Sequence, residues 1–169
     1  MDMKLISARS RGFTLVEMLV ALVVLSIGML GIAGLFTVSL RSGGSAIQRM
    51  QAVNLATDIA DRIRANRRAA GAYNATATAM GTDKGCIGAS ASVCSKEDMA
   101  ATDIFVWKNA ITAAFKGGTA TGEVAYTAAS LPTLPATYTI KVTWKEQGQA
   151  VGETESTQSV EMRLQLPIT

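Results

Sequence analysis

Three sets of residues have types and spacings that could do chemistry. Cys86 and Cys94 are the only cysteines, and they bracket the Gly/Ser/Ala-rich segment CIGASASVC. With no histidine in the chain, a tetrahedral zinc site lacks its usual ligands. The pair reads as a disulfide formed in an oxidising compartment such as the periplasm, with two free thiols as the alternative. Closing so short a loop would remove about 2 to 3 kcal/mol of conformational freedom from the unfolded chain. Glu17 is the second feature, a lone carboxylate inside RGFTLVEMLVALVVLSIGML. A carboxylate near a bilayer core costs about 2.5 to 3.5 kcal/mol on insertion scales, so it marks a partner or a function, unless it snorkels to the headgroups. The third is the cluster Arg62, Arg64, Arg67 and Arg68. Guanidinium groups neutralise phosphates, but no aromatic residues interleave here for base stacking, and cations at a helix C-terminus are favoured by the helix dipole. Nucleic acid is therefore not the expected partner.

No other constellation carries chemistry. There is no nucleotide-binding loop, no metal-ligand cluster and no positioned nucleophile and base, so no enzyme activity and no cofactor are expected.

The elements that must position these residues begin with a membrane segment. From Met18 to Leu40 no residue carries a formal charge, a stretch long enough to cross a bilayer, which takes about 20 apolar residues. The rest of the chain is too small and polar to wrap such a helix on every side. Lys4, Arg9 and Arg11 precede the span against one acid, Asp2, which holds the N-terminus in the cytoplasm and puts the body of the chain outside; Arg41 and Arg49 dilute that bias. The formal net charge of +3 resides largely in this leader.

Past Gly43 and Gly44, where the helix could bend, a stripe of Val53, Ala56, Ile59, Ala60 and Ile63 predicts an amphipathic helix, with Asn54, Asp58, Asp61 and Arg62 on the opposite side and Ile47 and Leu55 off the stripe. Residues 69 to 95 lose periodicity and read as an irregular connection that the cysteines staple. Ser95 and Asp98 then open a second helix, with Ile104, Trp107, Ile111 and Ala114 on its apolar stripe and Gly117 and Gly118 ending it. The period changes to two in YTIKVTW, where Tyr138, Ile140, Val142 and Trp144 face inward, and in SVEMRLQL, where Val160, Met162, Leu164 and Leu166 do. KEQGQAVGETES links these strands as a hairpin connection, and EVAYTAA around Val124 and Tyr126 offers a third strand. The expected class is α+β, a long N-terminal helix whose second half packs on a small antiparallel sheet.

The segment RGFTLVEMLVALVVLSIGMLG resembles the class III signal of type IV pilins and pseudopilins: a short basic leader ending in glycine, then Phe13, Thr14, Leu15, a glutamate and an apolar helix. DMAATDIFVWKNAITAAFKGG and the C-terminal strands are similar to the minor pilins called type IV pilus modification proteins, the PilV type. Where that family often has a proline midway along the apolar helix, this chain has Gly28, Gly31 and Gly34; the family's C-terminal disulfide loop has no counterpart among its cysteines.

The resemblance implies the pilin fold and a defined set of roles. A prepilin peptidase would cut between Gly12 and Phe13, Phe13 would receive the N-methyl group, and Glu17 would form an assembly salt bridge with a Phe13 amine. The implied partners are other major and minor pilins, the prepilin peptidase/N-methyltransferase, the inner-membrane assembly platform and inner-membrane lipid. The organisation expected is a cleaved leader at 1–12, a transmembrane half-helix at 13–40 and an amphipathic half-helix at 41–68. An irregular stapled loop with a short helix follows at 69–120, and the sheet occupies 121–169. The implied function is that of a minor pilin, inserted in the inner membrane with its head in the periplasm and then moved into a pilus at the cell surface. A minor pseudopilin of a type II secretion system, a tip adhesin and a DNA-uptake pilin are the alternatives.

Overall fold

A computed structural model describes residues 12–88, 93–115, 119–130, 135–146 and 154–166. The chain divides into two compact units, Met1–Arg41 and Ser42–Thr169. Helix α1 runs over Leu15–Ala65 and contributes to both; Gly43 and Gly44 lie within it, and its helical hydrogen bonding continues through them.

In the first unit the physics is that of a helix made for an apolar solvent. The 51-residue α1 contains a window long and apolar enough to cross a membrane, with none of it buried inside the protein. Leu, Val, Met and Ala supply the apolar surface. Two hydroxyls within it are satisfied by the helix itself: Ser26 Oγ donates to the Leu22 carbonyl at 2.7 Å and Thr37 Oγ1 to that of Ala33 at 3.0 Å. Such internal pairing lets a polar side chain sit in lipid without an orphaned donor.

The second unit is an α+β head with its core between helices and sheet. A 3-10 segment, Arg67–Tyr73, follows α1; helix α2 spans Lys96–Ala114; strands β1, Thr121–Thr127, β2, Ala136–Glu146, and β3, Ser156–Leu166, form one antiparallel sheet in the order β1-β2-β3. The β2–β3 register is unbroken from Ala136↔Leu166 to Glu146↔Ser156. Alternation therefore directs Tyr138, Ile140, Val142 and Trp144 to one face, where all four are buried. Ala52, Ala56, Ile59, Ala60 and Ile63 of α1 and Ile104, Trp107 and Ile111 of α2 complete the core, with Val160, Met162 and Leu166 half-buried at its margin.

Two close approaches shape this core. Gly122 on β1 lies under α2, and a Cβ there would come within 2.6 Å of the Trp107 ring and collide with Ile111. The indole N–H of Trp107 donates to the Leu55 carbonyl at 2.8 Å, so one side chain joins α2 to α1 as it fills the space over Gly122. Phe115 stacks on Trp144 with ring centroids 5.6 Å apart.

Several expectations need correction. The buried stripe of α1 begins at Ala52, and Val53 is 40% exposed, because the core face is centred near Ala56 and Val53 lies 100° from Ala52. Leu55, off the expected stripe, packs at the core's edge, and Arg62, expected on the solvent side, is half-buried. Lys145, Glu146 and Ser156, assigned to the hairpin link, belong to the strands. The connection after residue 69 is not wholly irregular: it holds most of the 3-10 segment, and Ala75 bridges to Val124 of β1. α2 ends at Ala114 with Phe115 as C-cap; Gly117 and Gly118 lie outside the described residues.

Candidate functional site

The chemistry foreseen at the N-terminus is set on the first turn of α1. Thr14 is the residue before the helix, and its Oγ1 accepts the backbone N–H of Glu17 at 3.3 Å while its carbonyl accepts that of Met18 at 3.2 Å. Thr14-Leu15-Val16-Glu17 is thus a threonine cap followed at the third helical position by a glutamate, the pattern of a capping box. The T-x-x-E spacing is legible in the sequence and gives Thr14 the role of helix cap. Gly12 precedes the cap in exposed, non-helical backbone, and Phe13 is 77% exposed. Glu17 is exposed, in the turn where the partial positive charge of the helix start favours an anion. No hydrogen bond or ion pair forms at its carboxylate among the described residues, so the charge is available to a group from elsewhere.

Cys86 and Cys94 are joined in a disulfide with Cα atoms 5.8 Å apart. The staple closes the loop directly before Ser95, whose Oγ accepts the Asp98 N–H at 3.0 Å and donates to Asp98 Oδ2 at 2.8 Å to cap α2. Its position makes it a clamp on the start of α2 as well as a tie across the loop.

The head also holds a polar cluster that apolar periodicity does not reveal. Asp103 of α2, 5% exposed, accepts the Tyr73 hydroxyl hydrogen at Oδ2 over 2.6 Å and an Arg62 N–H at Oδ1 over 3.0 Å. Arg62 also pairs with Asp58 one turn earlier, at 3.0 Å. The cluster thereby bolts the end of α1 and the 3-10 segment to α2. Burial alone would lower the Arg62 pKa, but hydrogen bonds and charge from Asp58 and Asp103 outweigh it and leave the pKa raised. Tyr73 is raised well above the usual tyrosine value, first by desolvation and then by its hydrogen bond to Asp103. With Arg62 held by two acids and Arg64 paired with Asp61, half of the arginine cluster is neutralised within the head.

Lys108 is a buried cation, 3% exposed, whose Nζ donates to the carbonyls of Thr76 and Ala77. Desolvation lowers its pKa, with Glu123 acting in the opposite sense. Elsewhere along α2 the Lys84 N–H donates to Thr102 Oγ1 at 3.0 Å, and Gly81, with φ of +77°, passes so close that a Cβ would lie 3.1 Å from the Phe105 nitrogen. Residues 74–85 are thus fastened along α2 through its polar side chains. Among the described residues no group of three or more His, Cys, Asp or Glu comes together to hold a metal ion.

Comparison with known families places these features. A model of the prokaryotic N-terminal methylation motif matches residues 7–33, which contain Gly12, Phe13 and Glu17. A second, described as type IV pilin Tt1218, matches residues 34–105, from within the apolar helix through the disulfide and into α2. No curated protein and no solved structure matches the chain significantly. The two family matches run without a gap from residue 7 to residue 105, and the chain belongs to the type IV pilins.

Proposed function

We propose that this pilin is a minor pilin of the pilus modification type, a non-catalytic subunit that helps initiate or modify the fiber. Type IV pilins are structural subunits and not enzymes, and the methylation motif implies processing by a prepilin peptidase and assembly with other pilins. In this reading the peptidase cuts after Gly12, the new amine on Phe13 is methylated and stays cationic, and α1 anchors the chain in the inner membrane with the head in the periplasm. The apolar residues 13–40 then exchange lipid for the helices of neighbouring subunits.

The observation that carries the proposal is the isolation of Glu17: one carboxylate on the first turn of an apolar, exposed helix, without a partner among the described residues. A carboxylate in lipid is costly, and a cationic amine on an adjoining subunit's Phe13 offsets that cost when the helices pack together. Assembly becomes favourable only where the two charges meet. Deleting the gene should reduce piliation, and affinity purification of the chain should recover other pilins; normal piliation with no pilin recovered would refute the role.

A further inference from the structure

The two sulfurs of the disulfide meet different surroundings. Cys86 is 7% exposed, whereas Cys94 is half-buried and forms part of the wall of an open cavity of about 480 Å³ between the end of α1 and the start of α2. Arg62, Ala65, Lys96, Met99 and Asp103 line the same cavity, which Cys86 does not reach. Its volume falls within the range of about 300 to 1,000 Å³ usual for small-molecule sites.

The charges on the wall favour an anion. Lys96 is exposed, and Arg62 stays cationic while bonded to Asp58 and Asp103. Asp103 is the one acid lining the cavity, and its two oxygens are held by Arg62 and Tyr73. The start of α2 adds partial positive charge. Glu97 and Asp98 in that turn act against it, but Asp98 is bonded to the Ser95 hydroxyl and Glu97 pairs with Lys96 at 3.5 Å.

We infer that Cys94 is the sulfur through which this disulfide exchanges, and that its partner is the thiolate of a small, peptide-like thiol entering by the cavity. A thiolate attacks a disulfide in line with the bond that breaks, and access decides which of the two sulfurs reacts. Burial closes the approach to Cys86, and the cavity opens one to Cys94. Ala65 and Met99 offer apolar surface to the methylene groups of the incoming thiol, while Arg62 and Lys96 draw in its negative charge.

In the exchange step the incoming sulfur bonds to Cys94 Sγ and the Cys86–Cys94 bond breaks. Cys86 leaves with the electron pair as a thiolate and takes a proton from water. The reverse step restores the staple: the Cys86 thiolate attacks Cys94 Sγ and expels the thiol that it carried. While the bond is open, the Ser95 cap of α2 loses its tether to residue 86, and Cys94 bears the modification. The loop thus holds a reversible thiolation site directly before α2, independent of any role in pilus assembly.

Reduced glutathione serves as the probe. The full chain in detergent is incubated with it, quenched in acid and digested with pepsin, which keeps disulfides as they stood, and mass spectrometry locates the adduct. Glutathione should be found on Cys94, with Cys86 as the free thiol, in an excess of about tenfold or more over the opposite arrangement, and the excess should vanish when the chain is first unfolded in denaturant. Lys96→Glu places an acid where the helix start tolerates it and reverses one charge on the cavity wall. The variant should form the adduct about threefold more slowly at low ionic strength, a difference that about 1 M salt should erase. Glutathione on Cys86, parity between the sulfurs in the folded chain, no adduct until the chain unfolds, or a rate indifferent to Lys96→Glu would overturn the inference.

Discussion

Tyr73 donates its hydroxyl hydrogen to the buried carboxylate of Asp103 across 2.6 Å, joining the 3-10 segment after α1 to the middle of α2. Both residues lie off the apolar stripes that organise the head, yet the bond fixes how the long helix is capped by the rest of the domain. Replacing Tyr73 with Phe removes a hydrogen bond to a charged group and leaves Asp103 Oδ2 without its donor. The full chain in detergent should lose about 1.5 to 3 kcal/mol of stability, measured by denaturant unfolding.

The same pair predicts a response to base. Tyr73 has a folded-state pKa raised above its unfolded value of 10.0, and Tyr138 is raised in the same direction, by desolvation first and then by Tyr126. A raised tyrosine pKa means the folded state keeps a proton that the unfolded state releases. That contribution is complete below pH 10.0 and is lost as pH climbs toward the folded value. Lys108, whose pKa is lowered, acts oppositely: it opposes folding while the unfolded lysine is cationic and the folded one is not favoured as such, a cost that fades as pH approaches 10.5. Stability should fall with pH above 10.0 in the native chain, and Tyr73→Phe should flatten that fall, as read from thermal unfolding across the range.

Much of this fold is legible in the sequence wherever one period governs one face. Tyr138, Ile140, Val142 and Trp144 could be placed inward by alternation alone, and Ile104, Trp107 and Ile111 by helical spacing, because apolar burial needs no particular partner. Arg62, Asp103 and Lys108 could not. Their burial depends on acids, hydroxyls and carbonyls brought from 30 or more positions away, and a polar residue on a helix looks the same in sequence whether water or Tyr73 Oη meets it. At the helix start the reverse holds: Glu17 stood out as an anomaly, and Thr14, three residues earlier, supplies its local setting.

Gly122 makes a sharper packing prediction. A methyl group at that position meets the ring of Trp107 at 2.6 Å and collides with Ile111, both on a helix that is itself held to α1 and cannot simply retreat. Gly122→Ala should destabilise the chain by about 1 to 3 kcal/mol, the usual cost of overpacking. Combining it with Trp107→Phe, which vacates part of the ring's space but loses the bond to the Leu55 carbonyl, should give less than the sum of the two single losses.

The disulfide predicts a local effect as well as a global one. Replacing both Cys86 and Cys94 with Ser removes a constraint worth about 2.5 kcal/mol for a loop of this length. Because the staple abuts the Ser95 cap, limited proteolysis should cut the variant first between residue 85 and the start of α2, with the native chain resistant there under the same conditions.

Glu17→Ala relieves the insertion cost of a carboxylate, so membrane insertion and cleavage should persist. Incorporation with other pilins should fall by about tenfold or more, since the pairing that offsets the charge would be worth at least 1.4 kcal/mol. Quantitative immunoblotting of membrane and sheared-pilus fractions would check both halves of that expectation.

If the segment around Gly12, Phe13 and Glu17 is a processing and assembly signal, intact mass and terminal sequencing of the mature chain should find an N-terminus at Phe13 carrying one added methyl group on its amine. An intact leader, or a terminus downstream of the apolar segment as ordinary secretory cleavage would leave, would contradict it.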